Sequence, residues 1–114
     1  MTPAEELHAA ASLLRDRATG AIHEDRRTWA TGQTLGSKSP VVVDDQEQPS
    51  VFIETYAARL EAVNRYLALL GPATGLALAD WLDTMASYYT PGPTHPTYVV
   101  HALAVAREIL GSQP

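Results

Sequence analysis

Asp80 and Asp83 stand three residues apart in a stretch of helical periodicity, a spacing that turns two carboxylates toward one side of a helix. Such a pair can share a proton or hold a cation. With no further acids nearby the cation site is a poor one, and a solvated face, or pairing with an arginine such as Arg107, is the better reading. The histidines, His8, His23, His95 and His101, are scattered, and no two lie three or four apart on one helix as a preformed metal pair would. His95 and His101 are close in sequence, but a proline and a helix start separate them, so all four read as surface or partly buried structural residues. The run Gly32-Gln33-Thr34-Leu35-Gly36-Ser37-Lys38-Ser39 is similar in composition to a phosphate-binding loop, yet the lysine does not directly follow the second glycine. No buried strand precedes it and no helix follows it, so a plain β-turn is expected. There is no Gly-x-Ser-x-Gly elbow for a hydrolase nucleophile. The absence of cysteine excludes disulfides, thiolate zinc sites, iron–sulfur ligation and cysteine nucleophiles together. No catalytic residue, metal ligand or cofactor is assigned on these grounds.

Two other patterns bear on binding. Asp44, Asp45 and Glu47 form an acidic cluster between two β-rich segments, with Glu54 further on. Such a tip commonly serves solubility and protects a sheet edge, and it can also be part of a surface that mimics nucleic acid. The second pattern is an absence: from Tyr66 to Ala106 the only formally charged residues are Asp80 and Asp83, although Trp81, Met85, Tyr88, Tyr89 and Tyr98 fall inside the stretch. A surface helix normally presents a face rich in Lys, Glu and Arg. Either the last two helices are enclosed by the rest of the monomer, or part of their surface is an interface, where aromatic residues are enriched and charges depleted. Trp81, Met85, Tyr88, Tyr89 and Tyr98 are the candidate interface residues.

The elements that carry these residues follow from periodicity. Thr2-Pro3-Ala4-Glu5 is a helix start, with Thr2 as cap, proline in the first turn and Glu5 completing a capping box. Leu7, Ala10, Ala11, Leu14 and Ala18 recur at helical spacing, and Gly20 is a plausible stop. Residues 21–27 are polar and read as a loop or frayed turn. A Trp29-led segment, Val41-Val42-Val43 and Val51-Phe52-Ile53 predict a three-stranded antiparallel meander, its last strand followed by Thr55-Tyr56. Leu60, Val63, Leu67 and Leu70 predict a second helix, which Gly71-Pro72 closes by a left-handed glycine exit before opening a third. Leu76, Ala79, Leu82 and Met85 mark that third helix, residues 90–96 a proline-broken loop, and Val99, Leu103, Ala106 and Leu110 a fourth helix. The expected fold is α+β: an N-terminal helix, a small meander and three C-terminal helices packed on the sheet.

With 114 residues and 46% apolar content, one domain with a single core spanning 1–114 is expected. The net charge of −5 argues against direct binding to nucleic acid or to anionic membranes. The N-terminus carries acid where a signal peptide needs base, and no run approaches the length of a membrane span, so a cytoplasmic protein is expected.

Asn64-Arg65-Tyr66-Leu67-Ala68-Leu69-Leu70-Gly71-Pro72-Ala73, then Ala77-Leu78-Ala79-Asp80-Trp81-Leu82-Asp83, then Ala102-Leu103-Ala104-Val105-Ala106-Arg107, together with the opening Thr2-Pro3-Ala4-Glu5-Glu6-Leu7, touch most of the chain. In these segments the chain resembles a group of uncharacterised actinobacterial and actinophage small proteins. Members of the group often carry an Ala-Thr-Pro-Gly-Pro-Trp turn after the first helix; here only Ala18-Thr19-Gly20 and the later Trp29 remain, with a longer loop between. The order of a helix, a Trp-led strand region and an Ala-Leu helix after a Pro-Ala-Thr start is similar, more distantly, to the Ead-type early-region accessory proteins of lambdoid phages. The resemblance implies a phage or prophage setting and no mechanism. The leading expectation is therefore a non-enzymatic accessory protein that binds protein, or pairs with itself, through the neutral aromatic surface. An acidic nucleic-acid-mimicking inhibitor and a small-ligand binder or enzyme using Asp80 and Asp83 are the alternatives.

Overall fold

Thr2 and Pro3 start the first helix by the chemistry of its exposed N–H groups. In the computed structural model, which describes residues 1–34, 36, 38–55 and 59–112, helix α1 runs over Pro3–Gly20. The Glu5 N–H donates to Thr2 Oγ1 at 3.2 Å, while the Thr2 hydroxyl donates to the Glu5 carboxylate at 3.0 Å. Strands β1 (Ala30–Gln33), β2 (Pro40–Val43) and β3 (Phe52–Ile53) follow, then helices α2 (Leu60–Leu69), α3 (Pro72–Tyr88) and α4 (Thr97–Gly111). Among the described residues, four helices and a three-stranded antiparallel sheet in the order β1-β2-β3 make the α+β class. Leu35, Ser37 and Tyr56 of the sequence reading lie outside the described residues.

The chain divides into two compact units, one formed by Met1–Arg17 with Gly75–Pro114 and the other by Ala18–Thr74. In the first, the apolar stripes of three helices meet. Leu7, Ala10 and Ala11 of α1, Ala79, Leu82 and Ala86 of α3, and Val99, Ala102, Leu103 and Ala106 of α4 form one buried cluster. Six of these ten residues are alanine, so the helices meet through small side chains, and Leu7, Leu82, Leu103 and Val99 supply the remaining volume. Leu14, Met85, Tyr89 and Leu110 pack around its margin.

In the second unit, β2 pairs with β1 in the register Ala30↔Val43 to Gln33↔Pro40 and with β3 through Val42↔Ile53 and Val43↔Phe52. Successive strand side chains point to opposite faces, and Val41, Val42 and Val43 are all buried, so β2 is covered on both faces. Helix α2 packs on β1 and β2. The one fully buried residue on α2 is polar: Asn64 is 1% exposed, and Leu60, Val63 and Leu67 around it are half-buried. Leu70, expected on this face, lies past the end of the helix and is exposed.

Two turns have a local geometry that composition does not specify. Residues 23–26 close a tight turn in which the Arg26 N–H donates to His23 O at 3.0 Å and both central residues, Glu24 and Asp25, have positive φ (50° and 61°). Left-handed backbone at two non-glycine residues is costly, more so at Glu24 than at Asp25, since aspartate is among the residues that tolerate this region. Gly71 does not make the left-handed exit expected of it, since Gly36 is the glycine with positive φ among those described. Its need is for space: a Cβ at Gly71 would stand 3.1 Å from the Trp29 backbone N and from Trp29 Cβ. The Ala73 N–H donates to Arg27 O at 2.8 Å on the same seam, so the backbone beside Trp29 cannot retreat freely.

Gly71→Ala is therefore expected to destabilise the fold by about 1–3 kcal/mol through overpacking, measured by urea unfolding, although alanine is the better residue at an unconstrained helix junction. An unchanged midpoint would show that Trp29 yields. Asp25→Gly, at a position that favours glycine, is expected to raise stability by roughly 0.5–1 kcal/mol in the same assay.

Candidate functional site

Arg15 of α1 donates to Asp83 at 2.7 Å and to Asp80 at 3.1 Å, and His8 Nδ1 lies 3.0 Å from the other Asp83 oxygen. The pairing with an arginine is present, but the arginine is Arg15. Arg107 instead donates through Nε to Glu6 at 2.8 Å, tying α4 to α1. Hydrogen bonding from His8 and Arg15 holds the Asp83 carboxyl below its ordinary range against the opposing pull of burial, and the two aspartates raise the Arg15 guanidinium. These acids are occupied in joining α1 to α3. Among the described residues no three His, Asp or Glu side chains are grouped so as to hold a metal ion.

The acidic loop after β2 is occupied too. The Asp44 side chain is fully buried; its carboxylate accepts from the Ser50 N–H at 2.8 Å and from the Ser50 hydroxyl. Asp45 accepts from the N–H groups of Glu47 at 2.8 Å and Gln48 at 3.2 Å. Arg26, from the tight turn, donates to Gln48 O at 2.6 Å and reaches to within 3.9 Å of Asp44 and 3.7 Å of Asp45. Burial pulls the Asp44 carboxyl upward, but the Ser50 hydroxyl, the N–H groups of Val51 and Ser50 and the Arg26 charge hold it down at about 2. Two of the acids that suggested a phosphate-like array thus organise their own loop.

The candidate interface residues divide. Met85 and Tyr89 pack against the three-helix core, and the Tyr89 ring meets His95 at 5.6 Å across the loop that follows α3. Tyr88 and Tyr98 stay outside, 77% and 58% exposed, and Trp81 is more than a third exposed. Ala77, Trp81, Thr84 and Tyr88 recur at helical spacing on the exposed stripe of α3, and residues 90–98 are exposed throughout. Val100 adds apolar surface at the start of α4. The result is an exposed helix junction that carries aromatic rings and no formal charge between Asp83 and Arg107.

One feature escaped the sequence reading. Beside α2 and the β1–β2 hairpin lies a cleft of about 560 Å³ lined by Thr31, Gly32, Gln33, Gln46, Glu61, Asn64 and Arg65 among others. Asn64 accepts from the Thr55 hydroxyl at 3.1 Å, while its Nδ2 is buried with no partner. Turning the amide over would exchange the unpartnered atom without removing the deficit. The signal was present: Asn64 falls four residues after Leu60 and three before Leu67, on the stripe read as apolar. The Trp29 indole N–H, in an adjoining groove of about 340 Å³ that also reaches Arg65, is likewise buried without an acceptor.

No family model matches the chain, and no curated protein or solved structure is significantly similar to it. Among the described residues no helix is long and apolar enough to cross a membrane.

The loop chemistry gives a signed pH dependence. A carboxyl depressed in the folded state adds stability that is present above its unfolded pKa, about 3.9, and is lost as pH falls toward 2. Asp44→Asn is expected to cost roughly 1–3 kcal/mol at neutral pH and to flatten this acid limb in pH-dependent unfolding. An equally steep limb in the variant would assign the effect elsewhere. For the helix pair, Asp83→Asn should lower the melting temperature more than Asp80→Asn, because Asp83 holds both His8 and Arg15.

Proposed function

We propose that this chain is a non-enzymatic accessory protein that acts by binding protein through the neutral aromatic junction of α3 and α4, and that a second copy of the chain occupies that surface. The observation that carries the reading is the exposure of Tyr88 and Tyr98 on either side of a loop without charge. Tyrosine and tryptophan offer large contact area at low entropic cost, and charge depletion marks the centre of an interface. The choice of a second copy rests on electrostatics. Two molecules of net charge −5 repel, and the approach that costs least is through surface bearing no charge. For the setting we propose a phage or prophage of an actinobacterial host, on the strength of the sequence resemblance, with a cytoplasmic site of action.

The acidic-mimic alternative draws less support, because Asp44 and Asp45 are committed to Ser50, Glu47, Gln48 and Arg26. The reading of Asp80 and Asp83 as a reactive pair is weakened in the same way by Arg15 and His8.

Sedimentation velocity from micromolar to millimolar concentration tests the proposal. A reversible dimer is expected, and Tyr88→Arg and Tyr98→Arg should each weaken it by about tenfold or more while leaving the thermal midpoint near that of the parent, as exposed substitutions do. A monomer at every concentration, or a dimer indifferent to both substitutions, would overturn it.

A further inference from the structure

We infer that the cleft between α2 and the β1–β2 hairpin is a binding site for a small zwitterion of the free α-amino-acid class. The first argument is the deficit at Asn64. A carboxamide that is 1% exposed, on the one face of α2 that packs against the sheet, leaves a hydrogen-bonding atom without a partner. A leucine there would complete the stripe of Leu60, Val63 and Leu67 at no such cost. Thr55 engages only the oxygen of the amide and does not explain the nitrogen.

The second argument is what surrounds it. The cleft wall beside Asn64 carries one cation and one anion, Arg65 and Glu61, set one helical turn apart and only loosely paired at 3.6 Å. A looser pair is readily divided between the two ends of a zwitterion: Arg65 and the Asn64 N–H toward a carboxylate, Glu61 toward an ammonium group. Glu61 disfavours a purely anionic ligand and Arg65 a purely cationic one. The remaining polar walls are Thr31 and the carboxamides of Gln33 and Gln46, and Gln46 is held in place by donating through Nε2 to Thr31 O at 2.8 Å. A Cβ at Gly32 would stand 3.1 Å from Val43 Cγ2 and 3.3 Å from Gln46 Oε1, so glycine there leaves the Gln46 amide undisturbed. A volume of about 560 Å³ accommodates a molecule of this size.

The test is an NMR titration of the full chain with each of the free amino acids, and with acetate and methylammonium as single-charge probes. Saturable shifts at the amides of Gly32, Gln33, Asn64 and Arg65 are expected for one or a few amino acids and for neither single-charge probe. Asn64→Leu should abolish the shifts while leaving the melting temperature unchanged or higher, whereas a purely structural Asn64 would give a lower one. Arg65→Ala and Glu61→Gln, both at exposed side chains, should each weaken binding by about tenfold or more with the fold intact. No response to any amino acid at ten-millimolar ligand, an equal response to acetate alone, or undiminished binding by the exposed-residue variants would overturn the inference.

Discussion

The alanine seam among α1, α3 and α4 is the constraint from which the rest of the first unit follows. Helices that meet through Ala10, Ala11, Ala79, Ala86, Ala102 and Ala106 approach closely and gain close-packed contact, but each alanine buries little apolar area. Large side chains then have few places inside. Leu7, Leu82 and Leu103 occupy the centre, Met85 and Tyr89 the margin, and Trp81, Tyr88 and Tyr98 are left on the surface. The polar clamps belong to the same economy of size. Arg15 with Asp80 and Asp83, and Arg107 with Glu6, sit on the outside of the seam and fix which faces of α1 meet α3 and α4, a choice that interchangeable alanines specify only weakly.

The second unit solves a different problem, that of a sheet with one four-residue central strand. Three consecutive valines supply the apolar contact on both faces of β2, and the loops are held by side-chain chemistry. Arg26 is central to this. From a turn whose backbone is left-handed at Glu24 and Asp25, it reaches the loop between β2 and β3 and bonds its carbonyl at Gln48 and the Ser50 hydroxyl. The acids that give the protein much of its charge are in part the mortar of this loop.

Much of this was legible in the sequence because helical periodicity is a local signal. The stripes Leu7-Ala10-Ala11 and Val99-Leu103-Ala106 needed only spacing to be read, and Val41-Val42-Val43 only β propensity. The partner of Asp80 and Asp83 was not legible, because an ion pair between helices depends on how they pack, and Arg15 and Arg107 are equivalent until the helices are placed. The role of Gly71 was misread for the same reason: its requirement comes from Trp29, distant in the chain, and not from its own φ. Asn64 is visible in the sequence as a polar residue in an apolar register, but spacing alone does not tell whether a buried amide finds partners for both of its atoms.

The Trp29–Gly71 contact has a consequence for how this fold can vary. A Cβ at 71 would stand 3.1 Å from the backbone nitrogen at 29, which every residue carries, and from the Cβ there, which only glycine lacks. A side chain at 71 therefore requires the backbone at 29 to move, and shortening the side chain at 29 does not make room for it. The glycine is thus tied to the path of the backbone at 29 more than to the indole, and a sequence that exchanges the tryptophan for another side chain still needs glycine at 71.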